Sequence, residues 1–138
     1  MAEKSLTSTS RQAPRVELQV VQNWQEAVNA RDAQALMACS DPKIEIVGPR
    51  GSAFGHDVLR QWLERAGLTL SPQRNFQHNQ TVVVAQHAVW RSAESEIIGE
   101  ADVASVFRVG DDKVLYYARF DSLEEALQQG GLTEEDET

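Results

Sequence analysis

The sequence predicts an α+β domain in which three N-terminal helices pack on the concave face of a cone-shaped, curved antiparallel sheet. Apolar residues recur at helical spacing through much of the first half of the chain. After Gly67 the apolar pattern has a period of two, and short polar connections divide it into strands. Short connections make neighbouring strands antiparallel, and helices that precede such a meander cover one of its faces. This arrangement leaves room for one pocket between helices and sheet.

The helices are read from three apolar stripes. The first stripe spans residues 15–30 and includes Val20 and Trp24. Asp32 is a suitable N-cap for a short second helix, which ends before Pro42. A third helix spans residues 56–66, because Gly67 is a typical residue at a helix end.

The strands are read from alternation between apolar and polar residues. A short strand at residues 43–47 places Ile44 and Ile46 on one dry face, and a loop follows at residues 48–52. Three turn-like segments then separate the four strands of the meander, and a short helix over residues 122–128 ends it. The predicted strands are residues 74–84, 88–94, 97–109 and 113–121, with turns at 85–87, 95–96 and 110–112.

Length and charge predict one folded domain with a disordered segment at each end. The 138 residues and 41% hydrophobic content suit a single domain over residues 15–132. Residues 1–14 lack a period and predict a disordered arm. Residues 121–138 hold seven acidic residues and no Lys or Arg, which accounts for seven of the eight net negative charges. We therefore expect residues 133–138 to form a disordered acidic tail.

Several classes of function are excluded by composition. No apolar run approaches the ~20 residues that span a bilayer, and no secretory signal is recognisable, so we expect a cytoplasmic protein without membrane contact. The basic residues form no stripe, which argues against nucleic acid as a partner. Cys39 is the only cysteine and the three histidines lack metal-ligand spacing, so no metal and no cofactor are expected.

Three stretches resemble a known family. They are residues 24–32, where a helix with an inward aromatic runs into an Asp-capped helix; residues 44–63, with Gly48 and Gly55 between strand and helix; and residues 117–121, followed by Gly131 and Leu132. Their order and spacing over residues 16–132 resemble the nuclear transport factor 2-like superfamily, in its SnoaL-like (polyketide cyclase-like) branch. The resemblance implies a cystatin-like fold and a pocket on the concave face.

The resemblance also argues against one activity of the superfamily. Its steroid isomerases hold an oxyanion with a Tyr on the first helix and a protonated Asp on a late strand, while a second Asp moves the proton. The matching positions in this chain are Trp24, Ser105 and Ile46. Because Ile46 cannot accept a proton, steroid isomerase activity is not expected.

The predicted pocket has one polar end and apolar walls. Tyr117, Arg119 and Asp121 alternate along one strand and share a face, which the resemblance aims at the pocket. Arg119 and Asp121 are predicted either to form a structural ion pair or to anchor a ligand carboxylate or enolate. The predicted walls are Trp24, Ile46, Phe54 and Trp62.

Three functions follow as hypotheses. The first is binding of a small, largely apolar molecule in the pocket. The second is an isomerase, cyclase or dehydratase with His78 or Asp121 as general base. The third is a dimerisation module, because the outward-facing Val83, Val89 and Val106 would be exposed to solvent in a monomer. A homodimer through the outer sheet face is compatible with all three hypotheses.

Overall fold

The computed structural model describes residues 3–48 and 50–138, with side chains from Val16 onward. Within these residues no helix combines the length and the apolar character that a membrane crossing requires. The described residues form four helices and six strands. In order they are α1 (Glu3–Ala30), α2 (Ala33–Ala38), β1 (Ser40–Gly48), β2 (Gly51–Phe54), α3 (His56–Ala66), β3 (Leu68–His78), β4 (Thr81–Arg91), β5 (Ile97–Gly110), β6 (Lys113–Phe120) and α4 (Leu123–Gly130), followed by a 3-10 turn at Glu134–Asp136.

The six strands form one sheet in the order β2-β1-β6-β5-β4-β3. Neighbouring strands are antiparallel except β1 and β6, which run parallel with Ile46 opposite Tyr117. The parallel pair arises because β3, β4 and β5 form a meander that brings β6 back beside β1. The predicted α+β class with a curved sheet is confirmed.

The two faces of the sheet are covered by different helices. On the concave face α1, α2 and α3 bury Trp24, Leu36 and Leu59 against Ile44 and Phe107 of the strands. The three N-terminal helices therefore lie where the sequence predicts them. The opposite, outer face is covered by α4 and by the residues after it. Their shared apolar cluster contains Phe76, Val83, Ala104, Val106, Ala126, Leu127 and Leu132.

The helix boundaries follow local chemistry. The Asp32 side chain accepts a hydrogen bond of 3.0 Å from the Ala35 amide and so caps α2, as predicted. The third helix ends at Gly67 in the left-handed conformation, with φ of 54°. Ser122 caps α4 in the same way as Asp32 caps α2.

Three predictions about the strands and their connections need correction. The predicted strand over residues 74–84 is in fact a hairpin, because the chain turns between His78 and Thr81, where Asn79 adopts a positive φ of 53°. The predicted turn at residues 85–87 lies in the middle of β4. The predicted loop at residues 48–52 also contains the start of β2, which pairs with β1 from Glu45 to Gly48.

The two ends of the chain differ in what the structure describes. The first helix begins at Glu3, earlier than the predicted residue 15. Met1, Ala2 and the side chains up to Arg15 lie outside the described residues, so the predicted arm over residues 1–14 stays a prediction.

The expectation of a disordered acidic tail needs a correction. Arg74 on β3 hydrogen-bonds Glu134 at 2.7 Å and Glu137 at 2.8 Å, and the Thr138 amide donates to the carbonyl of Asn75 at 2.9 Å. These contacts hold residues 133–138 along β3, the edge strand of the sheet, because they give the tail both counter-charge and backbone partners.

This arrangement also bears on the predicted homodimer. Val83 and Val106 were predicted to lie exposed on the outer sheet face. They are instead buried by α4 and Leu132 of the same chain. Val89 is half-buried. A homodimer or a dimerisation function through the outer face stays a prediction. Exposed apolar residues first suggested it, and two of the three are covered within the chain.

Candidate functional site

Two adjoining cavities open beside the paired strands β1 and β6. The first cavity, of about 410 Å³, is lined by Ile46, Val47, Gly48, Trp62, Tyr117, Ala118, Arg119, Phe120 and Asp121. The second cavity, of about 520 Å³, is lined by Ile46, Gly48, Arg50, Gly51, Ala53, Val58, Trp62 and Arg65. Ile46, Gly48 and Trp62 line both, so the two cavities meet along one apolar strip.

Strand β6 supplies the polar groups of the first cavity. Tyr117 and Arg119 lie two residues apart and share the concave face, and Asp121 follows the end of the strand. On the parallel neighbour β1, Ile46 lies opposite Tyr117 and contributes an apolar side chain. Trp62 on α3 closes the cavity from the helix side.

Arg119 presents a charged group to the cavity. Its guanidinium carbon lies 5.1 Å from the centre of the Trp90 ring, a cation–π contact that orients the side chain across the sheet. Within the described residues Arg119 forms no ion pair, including with Asp121, so the predicted structural ion pair is not formed. The guanidinium therefore keeps hydrogen-bond donors for a ligand.

Tyr117 is the buried polar group of the first cavity. The residue is 2% exposed, and its hydroxyl lies near that of Ser105 without forming a hydrogen bond of good geometry to any described residue. Burial raises the pKa of Tyr117, and neighbouring Arg119 and then Ser105 offset only part of the rise, so the hydroxyl is protonated at neutral pH. An unpartnered buried hydroxyl is energetically costly, which makes the Tyr117 hydroxyl a candidate partner for a polar group that comes close to it.

The family follows from the sequence matched to known proteins. A family model described as a SnoaL-like domain matches residues 21–117, which is more than half of the chain. This chain belongs to the SnoaL-like family. The predicted membership of the nuclear transport factor 2-like superfamily is confirmed. No curated protein matches the chain in sequence.

Solved structures share the fold of this SnoaL-like domain. RV0760c from Mycobacterium tuberculosis, in complex with estradiol-17beta-hemisuccinate, has a TM-score of 0.69 at 14% identity, covering 79% of this chain and 95% of that chain. TerC, co-crystallised with polyporic acid, has a TM-score of 0.67 at 16% identity, covering 83% and 97%. A nuclear transport factor 2-like protein from Burkholderia xenovorans LB400 has a TM-score of 0.65 at 19% identity, covering 85% and 97%. At these identities the likeness establishes the fold alone.

Two of the predicted walls of the SnoaL-like pocket lie elsewhere. Trp24 is fully buried and its indole N–H donates to the hydroxyl of Ser40 at 3.0 Å, so it does not reach a ligand. Its ring packs under Tyr117 and Trp62, with ring centres 4.8 Å and 5.9 Å away, and supports both. Phe54 is 61% exposed at the end of the edge strand β2, outside both cavities.

His78 does not join Asp121 in the cavity. It ends β3, which β4 and β5 separate from β6, so three strand spacings, or about 14 Å, lie between their strands. The His78 side chain is 61% exposed, and its Nδ1 atom lies 3.6 Å from Asp136 in the docked C-terminal segment. Of the two predicted general bases, His78 or Asp121, only Asp121 therefore lines the cavity.

Sequence reasoning missed a buried polar pair on the concave face. The Ser105 hydroxyl donates to the amide oxygen of Gln86 at 2.5 Å, and both residues are fully buried. The amide nitrogen of Gln86 has no partner among the described residues. The alternation of Val84, Gln86 and Ala88 along one strand would have placed Gln86 on the buried face. The prediction of a turn at residues 85–87 interrupted that strand.

Proposed function

We propose that this SnoaL-like domain binds a small, largely apolar molecule whose anionic or carbonyl group is held by Arg119 in the first cavity. The observation that carries the proposal is the Arg119 guanidinium, which lines the cavity without a carboxylate partner among the described residues. Guanidinium groups bind carboxylates through paired hydrogen bonds. Asp121 lines the same cavity and would accept a hydroxyl or amide donor of the ligand.

The apolar part of the ligand would contact Ile46 and Trp62. Both line the cavity, and Trp62 is held in place by Trp24 and by Tyr117, whose ring centre is 5.5 Å away. A supported aromatic wall with few polar groups is typical of pockets for small molecules. The co-crystallised ligands of TerC and RV0760c, polyporic acid and estradiol-17beta-hemisuccinate, support the same class of ligand for this chain.

Titration calorimetry with 2-naphthoate and its uncharged counterpart 2-naphthamide tests the proposal. Naphthoate should bind more tightly than naphthamide, and Arg119→Ala should weaken naphthoate by about 10-fold or more, because a hydrogen bond to a charged group contributes about 1.5–3 kcal/mol. Arg108→Ala is the matched control, since Arg108 likewise stacks on an aromatic ring, that of Tyr116 at 4.7 Å, but does not line the cavities. Equal naphthoate affinity in wild type and Arg119→Ala would overturn the proposal.

A second candidate is proton transfer next to a carbonyl group. It is favoured by one observation, that Asp121 lines the same cavity as the unpartnered hydroxyl of Tyr117. Asp121 would remove the proton, while the Tyr117 hydroxyl and Arg119 would stabilise the enolate oxygen. No step requires His78, which does not lie in the cavity.

Deuterium exchange into 2-tetralone in D₂O, followed by proton NMR, tests the second candidate. Wild type should accelerate loss of the proton signal next to the carbonyl, and Asp121→Asn should remove the acceleration. Asp136→Asn, in the C-terminal segment, is the matched control. Exchange at the rate of the protein-free solution, or unchanged exchange in Asp121→Asn, would eliminate this candidate.

A further inference from the structure

The second cavity carries positive charge of its own. It is lined by Arg50, next to the start of β2, and by Arg65, in the last turn of α3. Neither forms an ion pair with a described residue. Arg65 would stabilise the end of its helix from any exposed position in that turn. That role leaves unexplained why its side chain lines the same space as Arg50.

The excess of positive charge at the two cavities contrasts with the rest of the chain. Three arginines and one carboxylate, Asp121, line the cavities together. The whole chain has the opposite balance, with 13 basic and 21 acidic residues. All three arginines are exposed, so water weakens their mutual repulsion, and an anion bound between them would remove what remains. The local excess of positive charge therefore favours an anionic ligand at the two cavities.

The apolar strip between the charges sets the shape of that ligand. Ile46 and Trp62 line both cavities, with Arg119 in the first and Arg50 and Arg65 in the second. A molecule that contacts both sets of arginines must therefore cross Ile46 and Trp62. Its middle must be apolar, since none of the described residues that line both cavities carries a charge.

We propose that the ligand is an elongated dianion, with a flat apolar body over Trp62, one acidic group at Arg119 and a second at Arg50 and Arg65. This inference rests on the proposed binding function and adds the second acidic group. The second acidic group distinguishes this ligand from a simple aromatic monoacid, which would occupy only the first cavity, at Arg119.

Biphenyl-4,4′-dicarboxylate and biphenyl-4-carboxylate, compared by titration calorimetry, test the second acidic group. Wild type should bind the dicarboxylate about 10-fold more tightly, the factor that one charge-assisted hydrogen bond of ordinary strength gives. The Arg50→Ala/Arg65→Ala double variant should bind both acids equally, with the affinity for the monoacid changed less than about threefold. The Arg60→Ala/Arg108→Ala double variant is the control, because it removes the same charge outside the cavities.

The outcomes separate this inference from the function on which it rests. Equal binding of the two acids to wild type, or a preference for the dicarboxylate that survives in Arg50→Ala/Arg65→Ala, overturns the second anionic position while the Arg119 site stands. Loss of the preference in the control variant as well would attribute it to net charge and also overturn the inference. Failure of both acids to bind wild type overturns the inference and the proposed function together. Thermal unfolding of each variant shows whether the fold is kept.

Discussion

At the residue scale, His87 on the outer face is fixed by two carboxylates. Its Nδ1 atom lies 2.9 Å from Asp102 and its Nε2 atom 2.9 Å from Glu100, both on the neighbouring strand β5. Both nitrogens can donate at once only in the imidazolium form. The hydrogen bonds to Asp102 and then Glu100 accordingly raise the pKa of His87 above its ordinary value of 6.5.

The pH dependence of stability follows from this shift. A folded-state pKa raised above the unfolded value gives stabilisation that is fully present below the unfolded pKa, near 6.5, and is lost as pH rises through the folded pKa. The difference in unfolding free energy between wild type and His87→Gln should therefore shrink with rising pH above about 6.5. NMR titration should show the His87 midpoint above that of the Glu100→Gln/Asp102→Asn variant. A midpoint that the double substitution leaves unchanged would contradict this assignment.

Local periodicity was sufficient for some site residues and insufficient for others. Tyr117, Arg119 and Asp121 could be placed together because alternation along one strand needs no knowledge of the rest of the chain. Gln86 could not be placed, because its burial depends on Ser105, nineteen residues away. The role of Trp24 was missed for the same reason, since Ser40 accepts its N–H from the start of β1.

At the element scale, the end of α3 is fixed by a close backbone approach. Gly67 has a positive φ of 54°, and a Cβ atom there would lie 2.3 Å from the carbonyl oxygen of Arg91 on β4. The Arg91 amide donates to the Gly67 carbonyl at 2.9 Å, so the two backbones cannot separate without losing this bond. Gly131 ends α4 with a similar φ of 76° but has open space around it.

This contrast predicts different costs for the same substitution. Gly131→Ala should lower the unfolding free energy by about 1 kcal/mol, through the left-handed backbone alone. Gly67→Ala should lower it by a further 1–3 kcal/mol or so, the usual cost of forcing atoms into a packed site. Urea unfolding of both variants measures the two values. Equal losses would show that the contact with Arg91 relaxes freely.

The hairpin between β3 and β4 shows what limited the prediction of elements. The helices, β1, β5 and β6 were predicted because each has one dry face and a clear end. The turn at Asn79 and Gln80 lies between Gln77-His78 and Thr81. Because the residues on both sides are polar as well, the sequence shows no change of pattern there. Gln86 and His87 are polar for different reasons, one buried against Ser105 and one held by acids, and together they resembled a turn.

At the scale of the whole molecule, the C-terminal segment is part of the fold. Leu132 is 6% exposed in the outer-face cluster, and its amide donates to Leu127 at 2.9 Å. The pairs of Arg74 with Glu134 and Glu137 lie at the surface, where solvent weakens them. Apolar contact at Leu132 should therefore hold the segment more firmly than the ion pairs do.

Two substitutions compare these contributions. Leu132→Ala should lower the unfolding free energy by about 2–4 kcal/mol, as for other buried leucines. Arg74→Ala should have a smaller effect, which added salt should reduce further. Urea unfolding at low and high salt measures both. A larger loss for Arg74→Ala would mean that charge, and not apolar contact, holds the segment in place.

The placement of charge also sets how fast a ligand arrives. The three cavity arginines lie in a chain of net charge −8, so at about 10 mM salt, where the screening length is about 30 Å, an approaching anion meets overall repulsion. Only a molecule already at the cavity mouth is attracted. Raising the salt concentration from about 10 to 100 mM should therefore accelerate the association of biphenyl-4,4′-dicarboxylate in stopped-flow measurements. A rate that falls with salt would mean that the cavity arginines dominate the approach at long range as well.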